Sequence, residues 1–211
     1  TRIWIGTEGG GLFLYNPQTG TIKNYSHTPK TANCISSDYV RSLALDSQHR
    51  LWIGTINSLN IYNEQEDNFN IYTSDPLENG SLSQMSVRNI FMDTQGGMWL
   101  GTYFGGINYY HPLKNRFRNL QFTAKPNSLN SNIINCIRED AQKGLWIGTN
   151  GGGVNYYNPQ TGKFTHYTQK EGLGSNDVKA IYIDEANKQV YIGTHTGGLS
   201  ILHRRSGQIE T

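Results

Sequence analysis

Apolar and polar residues along this chain form short runs of three to six, rich in Val, Ile, Leu and aromatics and broken by Gly, Asn, Asp and Pro. Such runs predict short strands joined by tight turns. They recur in a fixed order of four. The first predicted strand runs Val40 to Leu45, Val87 to Met92, Ile134 to Glu139 and Val178 to Ile183, and each ends at an acid: Asp46, Asp93, Asp140 or Asp184. The second is Trp-Ile-Gly-Thr from Trp4, Trp52 and Trp146, Trp-Leu-Gly-Thr from Trp99 and Tyr-Ile-Gly-Thr from Tyr191, at steps of 48, 47, 47 and 45 residues. The third is read at 12–15, 60–62, 107–110 and 154–157. The fourth carries an aromatic pair, Phe69 with Tyr72 and Phe164 with Tyr167, with Phe117 and Phe122 as a looser match.

Between third and fourth strands lie Asn16-Pro17-Gln18-Thr19-Gly20 and Asn158-Pro159-Gln160-Thr161-Gly162. Pro presets φ for a type I turn and Gly takes the left-handed position. Asp67 and Asn115 stand at the Gly20 position in two other copies, and both types tolerate that conformation better than most. Gly6, Gly54, Gly101, Gly148 and Gly193 sit inside the second strand, which they weaken unless another backbone must come close. Beside a large aromatic, this predicts sheets packed face to face with the Trp filling the gap.

Four antiparallel strands per 45 to 48 residues, stacked in this way, make a β-propeller blade. The copies fall at about 1–37, 38–84, 85–131, 132–176 and 177–211. The expected fold is therefore all-β, a partial propeller of about four and a half blades. We expect an open arc belonging to a larger ring, with unsatisfied edges that invite association.

The pattern Asp-x-x-x-Gly-x-Trp-Ile-Gly-Thr-x-x-Gly-Gly-x-x-x-Tyr-Asn-Pro-x-Thr-Gly-x-Phe, clearest from Asp140 to Phe164, resembles the two-component regulator propeller repeat. The resemblance extends through all five copies. It implies a periplasmic sensor domain of a Bacteroides-type hybrid two-component system, whose other blades, membrane helix and C-terminal signalling domains, a histidine kinase among them, would be its partners. It also implies a non-enzymatic module that recognises an oligosaccharide released from dietary or host glycans. The Gly-His and Trp-Asp pairs of WD repeats are missing, and Trp precedes the Gly-Gly doublets, unlike kelch repeats.

Charge adds little: 18 Lys+Arg against 16 Asp+Glu give +2, without a basic run. Contact with nucleic acid is not expected, since phosphate binding needs a concentrated positive field. No stretch approaches the roughly 20 apolar residues that cross a bilayer. Cys34 and Cys136 are far apart, lack Cys-x-x-Cys spacing and align with small residues of other copies, so neither a metal nor a cofactor is expected. Six scattered histidines and the absence of any Ser-His-Asp, P-loop or His-Glu-x-x-His arrangement argue against catalysis. The recurring acids fall at the turn between first and second strands, where Asp bonds backbone.

Recurrence separates scaffold from site. The copies differ most just after the Thr, with Glu8, Ile56, Tyr103, Asn150 and His195 followed by Gly9, Asn57, Phe104, Gly151 and Thr196. These loops share one face with those joining the fourth strand to the next first strand, the expected ligand mouth. Adjacent aromatics at Tyr103 and Phe104 suit the apolar C–H face of a sugar ring; the plainer reading is that they fill space held elsewhere by Gly-Gly. Arg41, Arg88, Asn135 and Lys179 recur near the start of the first strand. The three cations suit an anionic sugar; the plainer reading is a repeated structural bond from Arg to a neighbouring loop carbonyl. The candidate ligand-binding set is thus Tyr103, Phe104, His195, Asn150, Asn57, Glu8, Arg41, Arg88 and Lys179. The rival to sensing is a scaffold for protein–protein interaction or homodimerisation, which a large exposed apolar patch would favour.

Overall fold

Each predicted run closes on the next through a short turn, so each sheet is a meander in chain order. The computed structural model describes residues 2–75, 77, 80–111, 118–123, 125 and 127–211. The first sheet holds β1 (Ile3–Gly6), β2 (Leu12–Asn16) and β3 (Thr21–Tyr25), and the second β4 (Val40–Leu45), β5 (Leu51–Thr55), β6 (Leu59–Asn63) and β7 (Asn68–Tyr72). The third holds β8 (Val87–Met92), β9 (Met98–Thr102), β10 (Ile107–Tyr110) and β11 (Arg118–Leu120). The fourth holds β12 (Ile134–Glu139), β13 (Leu145–Thr149), β14 (Val154–Asn158) and β15 (Lys163–Tyr167). The fifth holds β16 (Val178–Asp184), β17 (Gln189–Thr194), β18 (Gly198–His203) and β19 (Ile209–Glu210), after a one-turn 3-10 helix at Gln169–Glu171. These are blades of a partial β-propeller. Phe122 departs from expectation: it lies past β11, in a bridge with Leu129. Asn115 and Phe117 lie outside the described residues.

The chain divides into two compact units, Thr1–Thr102 with Tyr109–Arg118, and Tyr103–Asn108 with Asn119–Thr211. In the first unit, a Cβ on Gly6 would lie 2.5 Å from Val40 Cγ1, and one on Gly54 would lie 2.8 Å from the Val87 carbonyl oxygen. In the second, a Cβ on Gly148 would meet Cys136 Sγ at 2.5 Å and Val178 Cγ1 at 2.7 Å. Gly6, Gly54 and Gly148 are therefore where one sheet closes on the next, whereas a Cβ on Gly193 would meet only Ala180 of its own sheet, at 3.8 Å. Apolar cores fill these seams: Leu12, Ile35, Ile53 and Phe69 between the first two sheets, Trp52, Leu59, Val87 and Leu100 in the next seam, and Trp146, Val178, Ile181 and Ile192 in the second unit.

The recurring acids are structural. Asp46, Asp93 and Asp140 each accept the indole N–H of the Trp six residues on, Trp52 at 2.9 Å, Trp99 at 2.7 Å and Trp146 at 3.1 Å. Their other oxygen accepts two turn N–H groups, those of Gln48 and Arg50, Gln95 and Gly97, and Gln142 and Gly144. At Asp46 burial opposes ionisation, but the bonds from Trp52 and Arg50 outweigh it and hold the carboxyl below its ordinary range. In the fifth copy Tyr191 has no indole N–H, and Asp184 turns to Asn187 instead.

Gly20 and Gly162 take the expected left-handed conformation, with φ of 69° and 68°, and Asp67 takes it with φ of 52°. At Asp67 the strain is offset by partners: its carboxylate accepts the hydroxyls of Tyr25 and Tyr62, both at 2.7 Å, and the Lys23 ammonium. These bonds, led by that of Lys23, pull the Asp67 carboxyl down to about 2. Burial, with Asp67 alongside, pushes the Tyr25 hydroxyl up to about 12 from 10.0. A raised folded value means that this stabilisation is complete below pH 10 and is lost as pH rises towards 12. The thermal midpoint of the chain is expected to fall across that window more steeply than that of a Tyr25→Phe variant, as followed by circular dichroism. Parallel falls would show that the Tyr25 proton carries no stability.

Candidate functional site

The loop face is built by the turns that follow each Thr and by the segments that enter each first strand. In the second hairpins Thr7, Thr55, Thr149 and Thr194 donate their hydroxyls to the carbonyls of Gly11 (2.7 Å), Ser58 (2.9 Å), Gly153 (2.8 Å) and Gly198 (3.0 Å). That bond closes the loop across its base, which explains why Thr recurs. The entering segment of the next blade then pins the loop: the N–H groups of Gly11, Gly106 and Gly153 donate to the carbonyls of Asp38, Asn132 and Asn176.

All four first strands carry a β-bulge. The register skips Arg41 between Val40 and Ser42, and likewise Arg88, Asn135 and Lys179. A bulge leaves its extra residue out of the ladder and re-aims that side chain. These four positions are therefore set apart by backbone geometry that spacing alone did not reveal. Arg41 Nη1 lies 2.6 Å from Glu8 Oε1, and Lys179 Nζ lies 2.9 Å from Asp177 Oδ1. Asn135 donates to the Val178 carbonyl at 2.7 Å. Arg88 is half-buried and already engaged. The expected repeated bond to a neighbouring loop carbonyl is not what the cations Arg41 and Lys179 make: Arg41 meets the Glu8 carboxylate, Lys179 meets Asp177 of its own entering segment, and only Asn135 meets a carbonyl, that of Val178 in the next first strand.

Within the first unit the candidates Glu8, Arg41, Asn57 and Arg88 lie along these loops and bulges, and Asn57 donates its amide to the Ser36 carbonyl. In the second unit His195 Nδ1 lies 3.6 Å from Asp177 Oδ2, which gathers His195 and Lys179 around one carboxylate. The Asn150 N–H donates to the Ile133 carbonyl and its own carbonyl accepts from the Ser131 hydroxyl, and the residue is half-buried. Tyr103 and Phe104 pair at 4.1 Å between ring centroids, 40% and 57% exposed. Two adjacent, half-exposed rings can present an apolar platform to a ligand.

Sequence reasoning missed the asparagine at the second place of the third strand. Asn60, Asn108 and Asn155 are fully buried. Asn60 accepts the Ser36 N–H at 2.9 Å and donates to Ser36 Oγ at 2.8 Å; Asn155 accepts the Asn130 N–H at 2.8 Å. These amides hold the entering loops to their own sheets, and their recurrence after Leu59, Ile107 and Val154 was the available signal. Cys34, as expected, stands in for serine: its sulfur bonds the backbone of Thr28 as Ser128 Oγ bonds that of Thr123. Burial pushes the Cys136 thiol up to about 11, which leaves it unreactive. No cluster of His, Cys, Asp and Glu suited to a metal occurs among the described residues.

The two-component regulator propeller family model matches residues 34–57, 81–104 and 128–151. Each window runs from an entering loop through first and second strands to the variable pair after the Thr. Histidine kinase P4 of Formosa agariphila is 36% identical over 59 residues, which are 28% of this chain and 4% of that protein. A solved chain described as the extracellular domain of the hybrid two component system BT3049 from B. thetaiotaomicron aligns with a TM-score of 0.74 at 28% identity. That alignment covers 82% of this chain and 24% of the other. A chain of the mitotic checkpoint complex, 14% identical with a TM-score of 0.69 over 99% of this chain and 59% of its own, shares the fold alone. This chain therefore spans only a small part of the two signalling proteins it matches. Three of the five copies, those in which the Asp–Trp lock is formed, therefore match the two-component regulator propeller repeat.

Proposed function

We propose that this chain is the ligand-sensing part of an extracytoplasmic sensor, a non-enzymatic module that recognises an oligosaccharide and signals to an attached histidine kinase. The observation that carries the proposal is the alignment, at 28% identity over 82% of the chain, with the extracellular domain of a hybrid two-component system. The histidine kinase relative points the same way. A ligand would bias signalling through its differential affinity for two arrangements of the sensor.

Recognition falls, within each unit, to the variable positions after the Thr and to the bulged cations. In the first unit Asn57 supplies hydrogen bonds and Glu8, Arg41 and Arg88 supply charge; in the second Tyr103 and Phe104 supply the apolar platform, Asn150 and His195 hydrogen bonds and Lys179 charge. Exposed ion pairs such as Glu8–Arg41 contribute only about 0–1 kcal/mol, so a ligand carboxylate could exchange for one at small cost. Calorimetric titration with pooled neutral and acidic oligosaccharides at two salt concentrations tests this reading. Saturable binding is expected. Salt-sensitive binding of the acidic pool would place the ligand on the cations, and salt-insensitive binding of the neutral pool on the aromatics. Silence from both pools would overturn it in favour of an assembly scaffold.

A further inference from the structure

Asparagine followed by a small residue carries chemistry of its own. The backbone nitrogen of the following residue can attack the asparagine Cγ and close a five-membered ring, provided that nitrogen and the side-chain amide are free to meet. Glycine in second place leaves the nitrogen least hindered, since it has no Cβ. Two asparagines precede glycine, Asn79 and Asn150, and three precede serine, Asn57, Asn127 and Asn130. Asn79 lies outside the described residues.

The three that precede serine are engaged. Asn57 donates its amide to the Ser36 carbonyl, and the Ser58 N–H is itself held by Thr55 Oγ1 at 3.1 Å. Asn127 bonds through both ends of its amide, donating to the Gly162 carbonyl and accepting the Phe164 N–H. Asn130 donates to the Gly152 carbonyl at 3.4 Å. At Asn150 neither reacting group is engaged: its side-chain amide and the Gly151 N–H form no hydrogen bond among the described residues. The sister loop of the first unit differs, since its Gly9 N–H donates to the Asp38 carbonyl at 3.1 Å. Gly151 has φ of 80°, and a Cβ built on it would meet nothing within 4 Å, so no neighbour crowds it.

The reacting peptide group is also polarised. Asn150 is anchored on both sides, its N–H donating to the Ile133 carbonyl at 2.9 Å and its carbonyl accepting the Ser131 hydroxyl at 2.8 Å. That carbonyl and the Gly151 N–H belong to one resonant peptide group. A donor on the oxygen draws charge from the nitrogen and makes its proton easier to lose.

We propose that Asn150 and Gly151 form a self-modification site, at which the loop deamidates itself without an enzyme. The Gly151 nitrogen gives up its proton and bonds to Asn150 Cγ, the Cγ–Nδ2 bond breaks, and the leaving nitrogen takes up a proton and departs as ammonia. Water then opens the cyclic imide at either carbonyl, giving aspartate or isoaspartate. The product carries a carboxylate where the chain had a neutral amide, and isoaspartate also adds a methylene to the main chain between Thr149 and Gly151. Asn150 is a candidate ligand contact, so conversion exchanges a hydrogen-bond donor there for a negative charge. The chemistry itself does not depend on the sensing role assigned to that position.

The test is peptide mapping by mass spectrometry of the 211-residue chain, aged at physiological temperature in mildly alkaline buffer, both folded and in urea. Folding is expected to slow conversion at Asn150 by less than about tenfold, and to slow Asn57, Asn127 and Asn130 by more than about tenfold each, relative to the same residues in urea. Gly151→Ala should slow conversion at Asn150 by at least about tenfold in urea, where loop strain plays no part. The proposal is overturned if folding slows Asn150 by more than tenfold, if it slows Asn57 no more than Asn150, or if Gly151→Ala leaves the rate in urea unchanged.

Discussion

Asp93→Ala is expected to cost about 3–5 kcal/mol of unfolding free energy. Asp93 and Trp99 are both buried, and the carboxylate accepts the Trp99 indole N–H at 2.7 Å, the Gly97 N–H at 2.8 Å and the Gln95 N–H at 2.9 Å. Truncation strands the first two donors away from water, at about 1–3 kcal/mol each, while the less buried Gln95 N–H can be hydrated. The turn between β8 and β9 also loses its closing group. Urea unfolding should show a lower midpoint with an unchanged slope. Asp184→Ala is the control, since its half-buried side chain bonds the local turn at Asn187 and no indole. Little change is expected there, and an equal loss at both sites would mean that the indole bond contributes nothing special.

Arg204→Ala is expected to cost about 3 kcal/mol, at the low end for a broken buried pair. Its side chain is 16% exposed and its guanidinium spans the two sheets of the second unit. One nitrogen lies 2.8 Å from the fully buried Asp140 carboxylate and 2.6 Å from Gln142, and another lies 3.0 Å from Glu185. The guanidinium also rests 5.7 Å from the centre of the Trp146 ring. Arg50, 41% exposed, makes a similar 2.7 Å bond to Asp46, and its removal should cost about 1 kcal/mol because solvent screens the pair. Lysine at 204 should recover only part of the loss, since a single ammonium cannot reach three acceptors in a plane. Equal losses for Arg204→Ala and Arg50→Ala would show that burial is not what distinguishes them.

What could be read beforehand was what repeats. The strands, the Asp67 and Gly20 turns and the close approach at Gly54 all follow from local rules applied at a fixed period. The bulges at Arg41, Arg88, Asn135 and Lys179 were hidden, because an extra residue shows only when two strands are paired. Asn60 and Asn155 were hidden for a different reason: a polar residue inside a strand reads as solvent-facing until the loop it tethers is folded back on it. Covariation inside the blades also emerges only in three dimensions. Gly97 and Gly144 make room for Tyr109 and Tyr156, where a Cβ would clash at 2.5 and 2.1 Å, whereas the copy with Arg50 at that place carries the smaller Ile61 at the tyrosine position.

The proposed reading gives the blades to repeated residues and ligand contact to Tyr103 and Phe104, and a Tyr103→Ala/Phe104→Ala chain separates these roles most directly. Both rings are half-exposed. The measurement is oligosaccharide affinity by calorimetry alongside the thermal midpoint of the same sample. Binding should weaken at least tenfold while the midpoint stays within about 2 °C of the parent, as for a surface change of under about 0.5 kcal/mol. Unchanged affinity with a markedly lower midpoint would make the aromatic pair scaffold and contradict the assignment.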